Sequence, residues 1–465
     1  MSHYKPDPNK SVNLTIDGIP VTVPEGTTIL EAARKINVQI PTLCDHHDLH
    51  RRAVCRLCVV ECDGRGKLLA ACANDVWEGV SVVTNNARIV GIRKTIIELM
   101  LANHPQDCLG CVKNTKCELQ SLAERFGIRA TPFRRGPLRQ DREIADGTLV
   151  RDMGKCVKCG RCVETCQEIH TVRAINTSYR SVNFEISTPY AQALGNGPCV
   201  FCGQCAVVCP VGAIYAHDQT AEVWAELYKS RQFVAVQLAP STAPDICAEF
   251  NLPPEAITVG KLITALKLMG FGTVYDTGFF AAQRAKEEAD ELRNRRLPMI
   301  SCCSQGCEKF IKWFYPDLVD HLYTGKSHQQ IFAAMAKEKN SGTTVGVSKI
   351  IHVSISPCLA EKHEIKQSEK DGAQNIDFAL TAGELTRMIR MAGIEPENLP
   401  ESAFDSFSAA PVERTGEPNT LTVNGLANAR TVMESIRKGE CDAALVKIMS
   451  CNVCRTDDSS EINRE

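Results

Sequence analysis

Residues 11–24, SVNLTIDGIPVTVP, alternate apolar and polar positions on either side of Asp17-Gly18, the pattern of two strands joined by a tight turn. The next stretch, TTILEAARKINVQIP, spaces its apolar residues as a helix does, with Thr27 or Thr28 placed near its start. Beyond residue 215 the texture changes. Short apolar runs (FVAVQLAP, TVYDTG, LPMISCC, IIHVSISPC and AALVKIMSC) each lead into a turn or a cysteine. Helical stretches such as FAAQRAKEEADELRNRR and QQIFAAMAKEKN lie between them. Strand–helix alternation predicts α/β layers, and in such sheets ligands gather beyond the carboxyl ends of strands. Three cysteine groups stand at such ends: Cys302/Cys303 with Cys307, Cys358, and Cys451/Cys454.

Composition narrows the reading. A chain of 465 residues corresponds to about two to four domains. Hydrophobic residues make up 44%, enough for ordinary cores, and a net charge of −2 gives no nucleic-acid signature. No apolar run approaches the roughly 20 residues of a membrane span. The start, MSHYKPDPNK, has no apolar signal core, and Arg51-Arg52 lies too far in for a twin-arginine address, so a cytoplasmic location is expected. In that compartment thiols stay reduced, so 24 cysteines point to metal rather than disulfides. Most of them are grouped, and iron–sulfur is the leading assignment.

Cys44, Cys55, Cys58 and Cys72 are spaced C-x10-C-x2-C-x13-C and supply four thiolates for a [2Fe–2S] cluster. Hairpin, helix and cysteine loop in that order resemble a plant-type ferredoxin, with the longer spacing of complex-I-like subunits. Cys62 fits no slot. His104, Cys108, Cys111 and Cys117, H-x3-C-x2-C-x5-C, can hold a cubane. Neutral histidine in place of a thiolate removes a negative charge and tends to raise the potential. Tetrahedral zinc also accepts three cysteines and one histidine, but the motif sits between two iron–sulfur modules. CVKCGRCVETC (156–166) and CVFCGQCAVVCP (199–210) are two copies of C-x2-C-x2-C-x3-C. In such two-cluster runs the fourth cysteine ligates the other cluster. One [4Fe–4S] is therefore expected on Cys156, Cys159, Cys162 and Cys209, the other on Cys199, Cys202, Cys205 and Cys166. The long stretch between the copies is expected to add a hairpin. Cys247 and Cys441 are expected to be core thiols.

The whole chain resembles the large, multi-cluster [FeFe]-hydrogenases of electron-bifurcating complexes. PMISCCSQGCEKFIKWFYPDL is similar to the family's first motif, SISPCLAEKHE to its second and VKIMSCNVC to its third; QLAPS at 237–241 is a further landmark. The resemblance implies a multidomain α+β and α/β fold. A β-grasp [2Fe–2S] ferredoxin domain (10–86) is followed by a [4Fe–4S] module with one histidine and three cysteines (87–127) and a bacterial two-[4Fe–4S] ferredoxin domain (145–216). Residues 230–465 form an α/β hydrogenase-like domain, expected to be truncated at its C-terminus. It further implies a fourth [4Fe–4S] on Cys303, Cys358, Cys451 and Cys454, with Cys302 or Cys307 as alternatives for the Cys303 position. Cys302, Glu288 and Glu291 align with the family's proton path, as does Gln329 with a family position. For the glutamates, surface charge pairs with Lys286, Arg293 or Arg295 are the simpler assignment.

The departures shape the functional expectation. Pro-Gly-Trp is replaced by Ser304-Gln305-Gly306, with Cys307 following. The lysine that in the family contacts a diiron cyanide aligns with Glu361, which reverses the charge offered to an anion. Ser356 stands for a methionine, the third motif lacks its paired glycines, and the chain ends at Glu465 where the family continues. The diiron centre is therefore expected to be absent, leaving one [2Fe–2S] and four [4Fe–4S] clusters. GRGKLL and GFGTVY lack the third glycine of a dinucleotide fingerprint, so flavin and NAD(P) are assigned to partner subunits, with a ferredoxin as a further partner. The expected function is the electron-transfer subunit of a flavin-based bifurcating oxidoreductase, like the Sporomusa-type transhydrogenases. The alternatives are a hydrogenase or hydrogen sensor with a divergent site and, less well supported, a cluster-bearing assembly protein.

Overall fold

The computed structural model describes residues 7, 9–62, 68–134, 136, 141–229, 232–295, 298–341, 349–370, 376–406 and 419–450. Strands β1 (Ser11–Ile16) and β2 (Ile19–Pro24) pair antiparallel, Ile16 opposite Ile19. The turn between them is the Asp17-Gly18 pair, both at positive φ (49° and 82°). The Asp17 carboxylate accepts from the Thr84 N–H at 2.7 Å, which holds the turn against the sheet. Helix α1 (Ile29–Lys35) starts at Thr28 rather than Thr27, because Glu31 completes a capping box with Thr28. Strands β3 (Val59–Cys62), β4 (Leu68–Ala70) and β5 (Ser81–Val83) finish a five-stranded sheet of order β2-β1-β5-β3-β4. The apolar face of α1 (Ile29, Leu30, Ala32 and Ala33) is buried in one core with Val12, Leu14 and Ile16 of that sheet.

Helices α2 (Ala87–Ala102) and α3 (Glu118–Arg125) lead to β6 (Arg142–Ala145), β7 (Leu149–Asp152) and α4 (Arg161–Glu164). The stretch between the two cysteine runs does form a hairpin, β8 (Asn176–Ser178) against β9 (Glu185–Ser187). Helix α5 (Gln204–Val207) and strand β10 (Ile214–Ala216) follow, and β10-β7-β6 make a three-stranded antiparallel sheet. That sheet already begins at Arg142, ahead of residue 145.

The second half contains α6 (Thr220–Leu227), β11 (Gln232–Leu238), α7 (Thr242–Glu249), α8 (Val259–Leu268), β12 (Thr273–Asp276) and α9 (Thr277–Leu292). Next come β13 (Met299–Cys302), α10 (Gln305–Phe314), α11 (His328–Ser341), β14 (Lys349–Ile355) and α12 (Ala360–Lys370). The described part closes with β15 (Phe378–Leu380), α13 (Ala382–Met391), β16 (Thr420–Asn424), α14 (Leu426–Arg437) and β17 (Leu445–Met449). All five apolar runs are strands, but they divide between two parallel sheets, β12-β11-β14-β15 and β13-β17-β16. The first is covered on both faces. Val234, Val236 and Leu238 of β11 pack with α7, α8 and α13, while Ala235 packs with Phe280 of α9 and Phe332 of α11. Val223 of α6 joins that core, so packing of this half begins before residue 230. The second sheet shares its core with the cysteine loops: Ile300, Val446 and Ile448 belong to the same cluster as Cys162, Cys199 and Cys205. Among the described residues no helix is long and apolar enough to cross a membrane.

Candidate iron–sulfur centres and the C-terminal pocket

Cys44, Cys55, Cys58 and Cys72 converge where the loop before β3 meets the residues after β4. The Cys55 N–H donates to Cys44 Sγ at 3.5 Å, and Cys58 Sγ lies 3.3 Å from Cys72 Sγ. Each pair splits its protons. The hydrogen bond from Cys44 pulls the Cys55 thiol down to about 6, and the bond from Cys72 lowers Cys58. The partner thiols are raised by the same bonds. In each pair one thiol is shifted toward the thiolate, the form in which iron is ligated. Arg93 of α2, 5% exposed, fixes this loop from behind: Nε donates to the Leu57 carbonyl at 3.0 Å and Nη2 to that of Val59 at 2.7 Å.

In the second group, Cys117 lies in the electrostatic range of Cys111 and Cys108. His104 is buried and hydrogen-bonds the Lys155 backbone, and burial lowers its pKa, which favours the neutral imidazole. A neutral imidazole can bond a carbonyl through one nitrogen and a metal through the other. Cys108 is exposed and Cys111 half-buried, so this group lies at the surface.

The two long runs fold as copies. Lys158 and Gly160 take φ of 57° and 82°, and Phe201 and Gly203 take 54° and 79°. The fourth cysteines cross over in space. Cys209 acts on Cys156, Cys159 and Cys162, whereas Cys166 acts on Cys199, Cys202 and Cys205. Burial pushes Cys156 up to about 11 and Cys159 and Cys199 up to about 12. Thiolates packed this closely need a cationic metal to compensate them.

In the C-terminal pocket the structure brings Cys303 and Cys358 together: burial, and after it the charge of Cys358, push the Cys303 thiol up. Cys303 Sγ accepts from the Ser450 N–H at 3.2 Å and contacts Ser450 Oγ at 3.3 Å, so the end of the described chain lies beside it. Cys451 and Cys454 lie outside the described residues. Cys302 and Cys307, both buried, hydrogen-bond one another instead. Cys202 in turn feels Cys358. The packing there is tight: a Cβ on Gly306 would stand 2.3 Å from the Val200 carbonyl, and one on Gly203 2.9 Å from the Leu359 side chain.

Glu361 is buried near Cys358, whose N–H donates to Ser356 Oγ at 3.0 Å. Its carboxylate accepts from Ser354 Oγ at 2.9 Å and Ser356 Oγ at 2.7 Å, and His328 Nε2 lies 3.4 Å away. Burial opposes charge on His328, but the hydrogen bond and charge of Glu361 carry its pKa above the ordinary value. Gln329 is buried alongside, its Nε2 donating to Glu364 at 2.7 Å. The two aligned glutamates differ in setting. Glu291 pairs with Arg295 at 2.8 Å, one of the expected partners. Glu288 does not pair with any of them: it is 4% exposed, bonded to Ser301 Oγ and to Arg284 Nε at 2.9 Å. Arg284 also donates to the Cys302 carbonyl at 2.8 Å. Cys247 is a core thiol bonded within its own helix–loop turn, and Cys62 is buried in the N-terminal core.

Several residues that position these groups carry no motif signal. Arg161, between two predicted ligands, grips both Glu118 oxygens (Nη2 to Oε2, 2.9 Å) and donates to the Asp45 carbonyl at 2.9 Å. Glu118 follows Cys117 and Asp45 follows Cys44, so one guanidinium joins three cysteine groups. The Glu118 N–H donates to the Pro210 carbonyl, next to Cys209, at 3.0 Å. Local sequence could place Arg161 beside its own loop but not beside the other two.

Matches to known families follow the same order along the chain. Residues 9–87 match a 2Fe-2S iron-sulfur cluster binding domain, 93–132 the NADH-ubiquinone oxidoreductase-G iron-sulfur binding region and 155–217 a 4Fe-4S dicluster domain. Residues 232–420 match the iron only hydrogenase large subunit, C-terminal domain. The chain is 36% identical over 86% of its length to the NADP-reducing hydrogenase subunit HndD of Solidesulfovibrio fructosivorans, covering 73% of that protein. It is 30% identical over 84% of its length to iron hydrogenase 1 of Clostridium pasteurianum, covering 70%. It is 34% identical over 51% of its length to the NADPH-Fe(3+) oxidoreductase subunit alpha of Geobacter sulfurreducens, covering 26%. With [2Fe–2S] and [4Fe–4S] domains preceding a hydrogenase-type α/β domain, the chain belongs to the iron hydrogenase family.

Proposed function

We propose that this chain is the electron-relay subunit of a flavin-based, electron-bifurcating oxidoreductase that couples NADH, NADPH and ferredoxin. Five clusters stand in series. One [2Fe–2S] sits on Cys44, Cys55, Cys58 and Cys72. Four [4Fe–4S] sit on His104 with Cys108, Cys111 and Cys117; on Cys156, Cys159, Cys162 and Cys209; on Cys199, Cys202, Cys205 and Cys166; and on Cys303, Cys358, Cys451 and Cys454. The carrying observation is the set of contacts between ligand loops: Arg161 bridges the first three groups, and at the last junction Val200 meets Gly306 and Gly203 meets Leu359. The clusters supply one-electron chemistry when bound, and the protein holds them in line and excludes water from the inner ones. Flavin and NAD(P) belong to partner subunits. Names of the relatives, a NADP-reducing hydrogenase and a NADPH-Fe(3+) oxidoreductase, support an NAD(P)-linked complex.

The C-terminal pocket does not suit a diiron centre with anionic ligands. Such a group would meet the Glu361 carboxylate, already occupied by Ser354, Ser356 and His328, where a cation is needed. The domain then serves as a further relay. A second reading, a hydrogenase with a divergent site, draws on buried Glu288 beside Ser301 and on the relatives' names. An infrared spectrum of the chain made anaerobically with hydrogenase maturation factors separates the two. The expected spectrum is free of iron-bound CO and cyanide bands, with iron for five clusters; such bands would establish the second reading. In the same preparation, Cys303→Ser is expected to remove about four irons per chain. Undiminished iron and an unchanged EPR spectrum would exclude Cys303 as a ligand.

A further inference from the structure

The loop after Cys166 carries a histidine to which the described residues offer no partner. Thr165–Ile169 form one π-helical turn, closed by the His170 N–H on the Thr165 carbonyl at 3.0 Å. The chain then folds back on Cys166. Val172 and Arg173 N–H groups both donate to the Cys166 carbonyl, at 2.9 and 3.0 Å, and the Ala174 N–H donates to Cys166 Sγ at 3.2 Å. This fold-back puts the imidazole inside. His170 is 6% exposed, and both ring nitrogens are buried without a hydrogen-bond partner among the described residues. Burial lowers its pKa to about 4, so the ring is neutral and carries one N–H. A buried donor left without an acceptor loses its full hydration with no return, which selects against such a residue unless something meets it.

The ring lines a cavity together with Cys166, Cys199, Cys202 and Cys205. Most of the remaining lining is apolar, and the Thr165 hydroxyl is committed to the Arg161 carbonyl at 3.0 Å. The group expected in that cavity is a cubane, whose sulfurs accept hydrogen bonds. We propose that His170 donates an N–H···S hydrogen bond to the [4Fe–4S] cluster of Cys199, Cys202, Cys205 and Cys166 and raises its reduction potential. The inference rests on the ligand assignment given above. Its physical basis is that reduction adds negative charge to the cluster, and a donor aimed at sulfur stabilises the more negative form. This cluster adjoins the C-terminal pocket, so His170 makes it a place where an electron pauses before that domain.

The test is an EPR-monitored redox titration of the full, reconstituted chain against His170→Leu and His170→Gln, with iron counted in each. His170→Leu removes the donor and is expected to shift one cluster's reduced-to-oxidised ratio about tenfold toward oxidised, or about 59 mV for a one-electron couple. His170→Gln keeps an N–H and is expected to stay near the wild type. With 15N-histidine, the reduced cluster is expected to show a weak nitrogen coupling that both variants lose, while any coupling from His104 remains. Unchanged potentials in a fully loaded His170→Leu chain overturn the proposal. If His170→Leu fails to assemble the cluster, absence of the weak coupling in the wild type overturns it and its presence supports it. A wild-type chain short of one cubane overturns the ligand assignment itself, and the iron count tells that failure from the first.

Discussion

Replacing Lys362 by methionine is expected to destabilise the C-terminal half by about 3–5 kcal/mol, the usual cost of stranding one member of a buried ion pair. Lys362 and Glu384 side chains are each 1% exposed and their charges stand 2.7 Å apart. The ammonium also donates to the His217 carbonyl at 2.9 Å and to Gln219 Oε1 at 3.3 Å. Glu384 accepts from the Gln219 N–H at 2.9 Å and caps α13 through the Thr381 N–H at 2.8 Å. This knot ties α12, which follows Cys358, to α13 and to the segment that leaves the two-cluster ferredoxin domain. Lys362→Met therefore leaves a carboxylate in the core facing a carbonyl. The double variant Lys362→Met/Glu384→Gln removes both charges and keeps a side chain able to complete the cap. It is expected to recover most of the loss, leaving about 1–2 kcal/mol. Urea unfolding of the four chains in a double-mutant cycle measures the coupling. Strictly additive losses would mean that the two charges do not depend on each other.

What the sequence discloses here is what is local. A ligand loop must bring two or three cysteines to one metal within a few residues, so its spacing survives in the sequence. The same holds for the Asp17-Gly18 turn; the helix start was legible only as Thr27 or Thr28, and the capping box with Glu31 places it at Thr28. The repeat also led to the expectation that Cys166 and Cys209 lean toward each other's runs, while their ligation of the opposite clusters is part of the proposal. The division of the apolar runs between two sheets was not, since each run satisfies period and length equally well in either. Strand β16, TLTVN, hides for the opposite reason: four of its five residues are exposed and offer no apolar pattern. Glu288 shows the same limit for side chains. The helix-surface reading named Lys286, Arg293 and Arg295 as partners, but the residue is buried, pairs with Arg284 one turn back and bonds Ser301, thirteen residues on in a neighbouring strand. His170 has no spacing signature at all. Only burial and the lack of a partner among the described residues single it out.

Arg161→Ala is expected to lower stability on the order of 3 kcal/mol and to loosen three cysteine groups at once. The size follows from the bonds lost. Hydrogen bonds to charged groups contribute about 1.5–3 kcal/mol each, but the Glu118 side chain is 43% exposed, so part of its share returns as hydration. The Asp45 carbonyl would also lose its donor at 2.9 Å. Arg161→Lys separates charge from geometry. Lysine keeps the cation but cannot hold both Glu118 oxygens and the carbonyl together, so less than half of the loss should be recovered. The readout is thermal unfolding of the cluster-loaded chain with iron release followed in parallel. Joint release from the Cys44, Cys117 and Cys159 groups at a lowered temperature is the expected result. If Arg161→Lys melts and releases iron as the wild type does, charge alone suffices and the bidentate grip is not what joins the groups. The expected outcome would instead make the spacing of the first three clusters a property of one side chain. The relay would then depend on long-range bonds between loops as much as on the cysteines that name it.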